Sequence, residues 1–405
     1  MNLASVSLAY LRARGLNTAL NVLLLALGIA TITLLLLTTS QLEERMQRDA
    51  RGIDLVVGAK GSPMQIILSS IYQLDVPTGN VSWKQAQELA RNRAVRKMIP
   101  LALGDNHKGF RIVGTNPDYV AHYRVRLARG RMWQKPLEVV LGADAAASTG
   151  HGIGATFFGA HGLGGRAGEH AHEAHPYEVV GVLARSGTVV DRVILTDVAS
   201  VWAVHADQYD IKDVGRIAEL MPDDEKEFTS LLIQYSSPIA AATLPRYINN
   251  NTDMQAASPA YETARLFTII GVGVDVLRGF ALVLIIAAGL SVFIALYNAL
   301  LERRYDLAVM RMLGARPGKL MALMLLEGLM LAGFGAALGI ALGHVLTEVL
   351  GMALTAAKQV TVTGWAWVND ELWLIALALG VGVVAALLPA WRAYRTDIAS
   401  ILARG

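Results

Sequence analysis

Four apolar runs, at about Leu16 to Thr39, Val276 to Leu301, Leu320 to Leu350 and Leu372 to Trp391, constrain this 405-residue chain more than any other feature. A helix needs about 20 apolar residues to cross a bilayer, because its backbone polar groups find no water there and must bond within the segment. Each run meets or approaches that length. A long stretch of ordinary globular composition separates the first run from the second, so the order is one span, a large domain, then three spans. Only 17% of residues are charged, against about a quarter in a soluble domain.

Lys and Arg near the span ends set the orientation. Arg12 and Arg14 precede the first run. Arg303, Arg304, Arg311, Arg316 and Lys319 fill the connection between the second and third, and Arg392, Arg395 and Arg404 follow the fourth. The connection between the third and fourth holds only Lys358, and Trp365, Trp367 and Trp373 suit an aromatic belt. Both termini and the 302–319 connection are therefore expected in the cytoplasm, with the large domain outside an inner (cytoplasmic) membrane. The expected boundaries are a cytoplasmic amphipathic segment (1–15), a first span (16–40), an outer domain (41–270) and a second span (276–301). A cytoplasmic helix (302–319), a third span (320–350), a short outer loop (351–371), a fourth span (372–391) and a cytoplasmic tail (392–405) follow. The first run is too long for a signal core and lacks a small-x-small site before Glu43-Glu44-Arg45, so it reads as an uncleaved span. The chain has no cysteine and hence no disulfide. A net charge of +3 with no basic patch gives no reason to expect nucleic acid.

The outer stretch alternates β-like runs with helical pieces. Segments 111–114, 137–142, 177–182 and 191–195 read as strands closed by Gly or turns. Residues 83–97 and 238–251 read as helices, and 222–227 as a solvated acidic turn. The fold class is a membrane protein of four transmembrane helices with a large α+β extracytoplasmic domain between the first and second. Two lobes are expected on either side of an insert at about 150–176. Residues 64–72 suit either a membrane- or substrate-facing surface or a structural lead-in to the domain.

The segment Glu302 to Ala315 is a charged amphipathic helix between two apolar runs. It presents Glu302, Arg303, Asp306 and Arg311 to the cytosol, with Leu307, Met310 and Leu313 as apolar anchors at helical spacing. A docking helix for an ATPase fits this pattern, and an ordinary solvated interhelical loop is the plainer alternative. In the third run, Gly335, Gly339 and Gly343 recur once per turn and make a small-residue face, for packing within one subunit or against a second copy. Glu327 lies inside the same run, where a charge is costly unless paired or wet. A satisfied structural group near the cytoplasmic face and a proton path both fit it. Asp275 and Arg278 read as a local i, i+3 pair.

The chain resembles the MacB/FtsX-like, or type VII, permeases of ABC transporters. Glu302-Arg303-Arg304-Tyr305-Asp306-Leu307-Ala308-Val309-Met310-Arg311-Met312-Leu313-Gly314-Ala315 is similar to that family's coupling segment, with Asp306 where Glu is usual. Glu327 with Gly333, Gly335, Gly339 and Gly343 resembles its third-span pattern, and Pro389-Ala390-Trp391-Arg392-Ala393 its closing motif. Val113-Gly114-Thr115, Ala128-Arg129-Gly130-Arg131, Val140-Leu141-Gly142 and Val179-Val180-Gly181-Val182 resemble its MacB-type periplasmic domain. The resemblance implies a non-catalytic subunit coupled to a separate ATPase, since no G-x-x-x-x-G-K-[ST] loop occurs here. It implies two ATPase copies holding the ATP and Mg²⁺, a second permease copy or paralogue, and a periplasmic adaptor or substrate protein as further partners. The function the resemblance implies is export or extraction of a lipoprotein, peptide or small amphiphile by mechanotransmission. The alternatives are FtsX-like signalling or scaffolding without transport, and metal-linked transport.

That last alternative rests on the insert, which holds His151, His161, His170, His172 and His175. Imidazoles at such spacing, beside Glu169 and Glu173, suit Zn²⁺, although a histidine-rich tract is also a common solvent-exposed insert. No nucleophile motif, H-E-x-x-H or paired-carboxylate site appears, so no catalysis is expected in this chain.

Overall fold

The computed structural model describes residues 3–162, 175–205, 211–356 and 361–395. They form two compact units, one of residues 43–269 and one of the chain on either side of it.

Among the described residues, four helices are long and apolar enough to cross a membrane. They run Gly15–Ala50, Pro259–Glu302, Pro317–Ala356 and Glu371–Tyr394. Leu25, Ile29, Ile285, Ala332, Ala336 and Ala378 make a core to which all four contribute. Small residues permit the close approach that lipid-embedded helices use in place of a hydrophobic drive. A Cβ on Gly328 would lie 2.7 Å from the Gly382 carbonyl oxygen, and one on Gly382 2.7 Å from that of Gly328. A short N-terminal helix, Leu3–Ala13, packs Val6 and Tyr10 beside Leu300, Leu307 and Met324 at the base of this unit.

The outer unit is α+β. Its strands are β1 (Leu55–Ala59), β2 (Val81–Ser82), β3 (Val95–His107), β4 (Phe110–Thr115), β5 (Leu127–Gly130), β6 (Glu138–Leu141) and β7 (Thr156–Phe157). There follow β8 (Ala160–His161), β9 (Tyr177–Leu183), β10 (Val193–Asp197), β11 (Glu227–Phe228), β12 (Ser230–Tyr235) and β13 (Met254–Ala257). One mixed sheet takes the order β13-β1-β12-β3-β4-β10-β6-β9-β5, with β7 on β9 and β8 on β3; β2 and β11 pair separately.

This order overturns the expectation of two lobes divided at the insert. Strands β4 and β6 precede the insert, yet β4 lies parallel to β10 and β6 parallel to β9, which follow it. Parallel neighbours need crossover connections, so the two sides of the insert interleave. Two cores do exist, but they divide along the sheet. One gathers Trp83, Trp202 and Phe228, with ring centroids 5.5 to 5.8 Å apart. The other gathers Ile112, Leu141, Phe157, Tyr177, Val179 and Ile194. The long strand β3 joins the two halves of the sheet, pairing first with β12 and then with β4.

Two local expectations also change. The helix expected over 83–97 covers only Trp83–Ala90, opened by a Ser82/Gln85 capping box. The chain then turns at Asn92, whose Oδ1 accepts the Ala94 N–H at 2.9 Å, and the β-branched Val95 starts β3. In the 64–72 segment, Ile66, Ile67, Ile71 and Tyr72 are buried in the outer unit, so this piece is a structural lead-in. The Tyr72 hydroxyl reaches Thr263 Oγ1 at 2.6 Å and the Met46 carbonyl at 3.4 Å. It thereby ties the outer ends of the first and second long helices together.

Candidate functional site

The connection after the second long helix forms a compact reversal at the base of the helical unit. Helix geometry lapses at Arg303 (φ −102°, ψ 15°) and resumes as a short helix, Arg304–Met312, in the segment expected to couple to an ATPase, hereafter the coupling helix. This helix ends in a Schellman closure: the Gly314 N–H donates to the Arg311 carbonyl at 3.1 Å and the Ala315 N–H to that of Met310 at 3.0 Å. The closure needs a left-handed residue, and Gly314 supplies it at φ +93°. Pro317 then opens the third long helix at its first position.

The two faces of the coupling helix differ from the expected division. Leu307 and Ala308 are fully buried, with Leu307 packed among Leu300, Leu320, Leu323 and Met324. Arg303 is also buried, donating to Glu327 at 3.1 Å with its guanidinium 3.7 Å from the Tyr10 ring centroid. Arg303 and Leu307 thus face inward within this chain, where one face of the short helix covers the base of its own bundle. Met310 is half-buried against the same cluster, and Arg311 is half-buried. Glu302, Asp306 and Gly314 are exposed, as is Leu313 at 84%. Glu302 pairs with Arg14. Tyr305 and Met312, not singled out in the sequence, complete the outward surface at 58% and 57% exposure. Spacing held a clue: Arg303 stands one turn before Leu307 and so shares its inward face.

Glu327, 1% exposed, is a satisfied group held by Arg303. The glycine face packs within the chain, against the first long helix. A Cβ would lie 2.8 Å from Leu25 Cδ2 at Gly335, 2.7 Å from Ile29 Cβ at Gly339 and 2.5 Å from Thr33 Cβ at Gly343. At the other end of the third helix, His344 contacts the Gly364 carbonyl at 2.5 Å through Nδ1 and Glu371 at 2.8 Å through Nε2. Glu348 accepts the Gly364 N–H at 2.7 Å. These contacts pin the outer loop, and nothing in the local sequence announced them.

Of the insert histidines, His170 and His172 lie outside the described residues, as does the His161 side chain. His175 is buried. His151 faces His107, Nε2 to Nε2 at 2.9 Å, and stacks on Phe157 with an 8° interplanar angle. Among the described residues no group of three or more metal-ligating side chains converges.

A family model described as FtsX-like permease C-terminal matches residues 278–398, and one described as MacB-like periplasmic core domain matches residues 18–251. The chain belongs to the MacB/FtsX-like, type VII, ABC transporter permease family. Family permeases of this kind are multi-pass membrane proteins, generally non-catalytic, with ABC transporter or FtsX-like roles and an ABC ATPase as partner. Among solved structures, the periplasmic region of MacB from Actinobacillus actinomycetemcomitans is similar at 11% identity and a TM-score of 0.34, over 55% of this chain and 97% of that one. The extracellular domain of the noncanonic ABC-type transporter YknZ from Gram-positive bacteria is similar at 13% identity and a TM-score of 0.29, over 50% of this chain and 99% of that one. No curated protein sequence matches the chain.

Proposed function

We propose that this permease works by mechanotransmission: a separate ATPase moves the coupling helix, and the first two long helices carry the movement to the outer unit. One observation supports this above the rest. The helices Gly15–Ala50 and Pro259–Glu302 each continue unbroken beyond their apolar runs into residues of the outer unit. At their outer ends they are fastened to its fabric. The Val189 N–H donates to Asp49 at 2.8 Å, and Tyr72 joins Met46 to Thr263. An unbroken helix resists bending, so displacement at one end reappears at the other.

We place the coupling helix and both termini in the cytoplasm and the outer unit in the periplasm of an inner-membrane protein. Two ATPase copies bind the ATP and Mg²⁺, and a second permease copy or paralogue completes the transporter. The cargo is an extracytoplasmic amphiphile: a lipoprotein, a peptide or a small molecule, with or without an adaptor. A cleft of about 510 Å³ between the outer ends of the two helices, lined by Met46, Ala50, Ile53, Thr263 and Phe267 with Glu43 and Arg51, has the mixed lining such cargo requires.

Spin labels on the outer unit, with the cognate ATPase reconstituted alongside, test the proposal. An ATP-dependent distance change, abolished by a disulfide between Met46→Cys and Thr263→Cys, is the expected result. An outer unit that stays still through ATP turnover overturns it. Movement without cargo release assigns the FtsX-like signalling role instead.

A further inference from the structure

The second and fourth long helices leave an open groove of about 550 Å³ between them. Its walls are wholly apolar: Ile286, Leu290 and Phe293 on one side, Leu377, Val381 and Val384 on the other. Its floor is set by glycine. A Cβ on Gly289 would meet Val381 Cγ1 at 2.9 Å, whereas one on Gly380 would meet nothing within 4 Å and would project into the groove. Leu290 and Val384 remain 59% and 74% exposed at the rim.

One end of this groove is cationic and aromatic. Tyr297 lies one turn beyond Phe293, about 6 Å along the helix, and Arg392 two turns beyond Ala385, about 10 Å along. Arg392 donates to the Tyr297 hydroxyl and holds its guanidinium 4.9 Å from that ring, bridging the two helices where the apolar walls stop. Arg395 lies 4.5 Å from the Trp391 ring. Both arginines are exposed. An apolar trough that closes on two arginines and two amphipathic rings matches a molecule with a hydrocarbon tail and an anionic head.

We infer that this groove is a binding site for one anionic phospholipid, its acyl chain between the second and fourth helices and its phosphate on Arg392 and Arg395. Charge complementarity favours this occupant over a second copy of the chain, whose corresponding face would bring the same arginines against them. Glycine at 380 keeps the trough open, and the Arg392–Tyr297 bridge fixes the head position.

The test uses the full-length chain in detergent, stripped of lipid and titrated with phosphatidylglycerol or phosphatidylcholine of identical acyl chains. Bound lipid is counted by native mass spectrometry. The expected result is one phosphatidylglycerol held in preference to phosphatidylcholine. Arg392→Gln with Arg395→Gln should cost that preference about fivefold per arginine, leaving phosphatidylcholine retention unchanged. Gly380→Phe, filling the trough, should remove the site for both lipids. Equal retention of the two lipids by the native chain, or retention unaffected by Gly380→Phe, overturns the inference. The chain has no cysteine, so Leu290→Cys and Val384→Cys each report cleanly on the rival occupant. Cross-linked dimers through either position in membranes overturn the lipid assignment as well.

Discussion

The Arg303 guanidinium donates to the Glu327 carboxylate across 3.1 Å, joining the end of the second long helix to the third with both side chains buried. The Tyr10 ring covers the guanidinium from the N-terminal helix. Breaking such a pair on one side strands a buried charge, so Glu327→Ala is expected to cost on the order of 3–5 kcal/mol. Replacing both partners, Arg303→Met with Glu327→Leu, should restore most of it. Asp275→Ala breaks an exposed i, i+3 pair and should cost less than about 1 kcal/mol. Thermal unfolding of the full chain in detergent ranks the three, and an Ala at 327 as mild as one at 275 contradicts the buried-pair account.

The coupling helix makes a second, separable prediction. Tyr305, Asp306, Met312 and Leu313 face outward, while Leu307 is core. Met312→Asp with Leu313→Asp should abolish co-purification of the ATPase and leave the melting temperature within a degree or two. Leu307→Ala should instead destabilise the chain by about 2–5 kcal/mol, as for other buried leucines. Retained ATPase binding in the outward variant would show that the docking surface lies elsewhere.

These contrasts mark what the sequence discloses. The coupling segment was legible because a cluster of charges between two long apolar runs stands out, most of it at the water-exposed end of a span. Its inward residues were hidden, since the partner of Arg303 lies in another helix, 24 positions on. The glycines at 335, 339 and 343 were legible as a close-packing face, but a stripe of small residues does not say which helix it meets. In the outer unit, short strands could be read individually. Their order could not, because β4 with β10 and β6 with β9 pair across an insert that local pattern treats as a boundary.

The glycine face can be tested by position. Gly339→Leu drives a side chain into Ile29 and the Ala26 carbonyl, whereas Gly333 has nothing within 4 Å of its would-be Cβ. Overpacking of this kind costs roughly 1–3 kcal/mol. Gly339→Leu should therefore lower the melting temperature while Gly333→Leu changes it little. Equal effects at both positions would mean the face is not an internal interface.

Acid stability of the outer unit should depend on Glu138. Arg131 grips it at both oxygens, at 2.6 and 2.7 Å, and the Gln134 N–H adds a third bond at 2.8 Å. The hydrogen bonds from Arg131, first among the causes, lower its pKa to about 2 against the opposing effect of burial. A depressed carboxylate pKa stabilises the fold fully above the unfolded value of 4.5, and the benefit disappears as pH falls from there toward 2. Arg131 is half-exposed, which screens the pair and reduces its worth to on the order of 2 kcal/mol. Glu138→Gln should remove that much stability at pH 7 and flatten the acid limb of the profile. A parallel acid limb in the variant would assign the acid sensitivity to other carboxylates.

The His107–His151 contact responds over a different range. Two ring nitrogens 2.9 Å apart share one proton, so at least one imidazole must be neutral for the bond to exist. Burial first, and the nearby Lys108 charge second, lower the His151 pKa below the ordinary value of 6.5. Folding therefore favours the neutral His151 ring; that contribution is complete above 6.5 and is lost as pH falls through the lowered folded value, where the ring must carry a charge in a partly buried place beside Lys108. Hydrogen exchange in residues 151–158, corrected for intrinsic rates, should accelerate between pH 7.5 and 5 as the stack on Phe157 loosens. Replacing His151→Phe keeps an aromatic ring on Phe157 and should remove the pH dependence without opening the segment at pH 7.5. Unchanged exchange in the native protein across that interval would place the proton-sensitive groups of the insert among its other histidines.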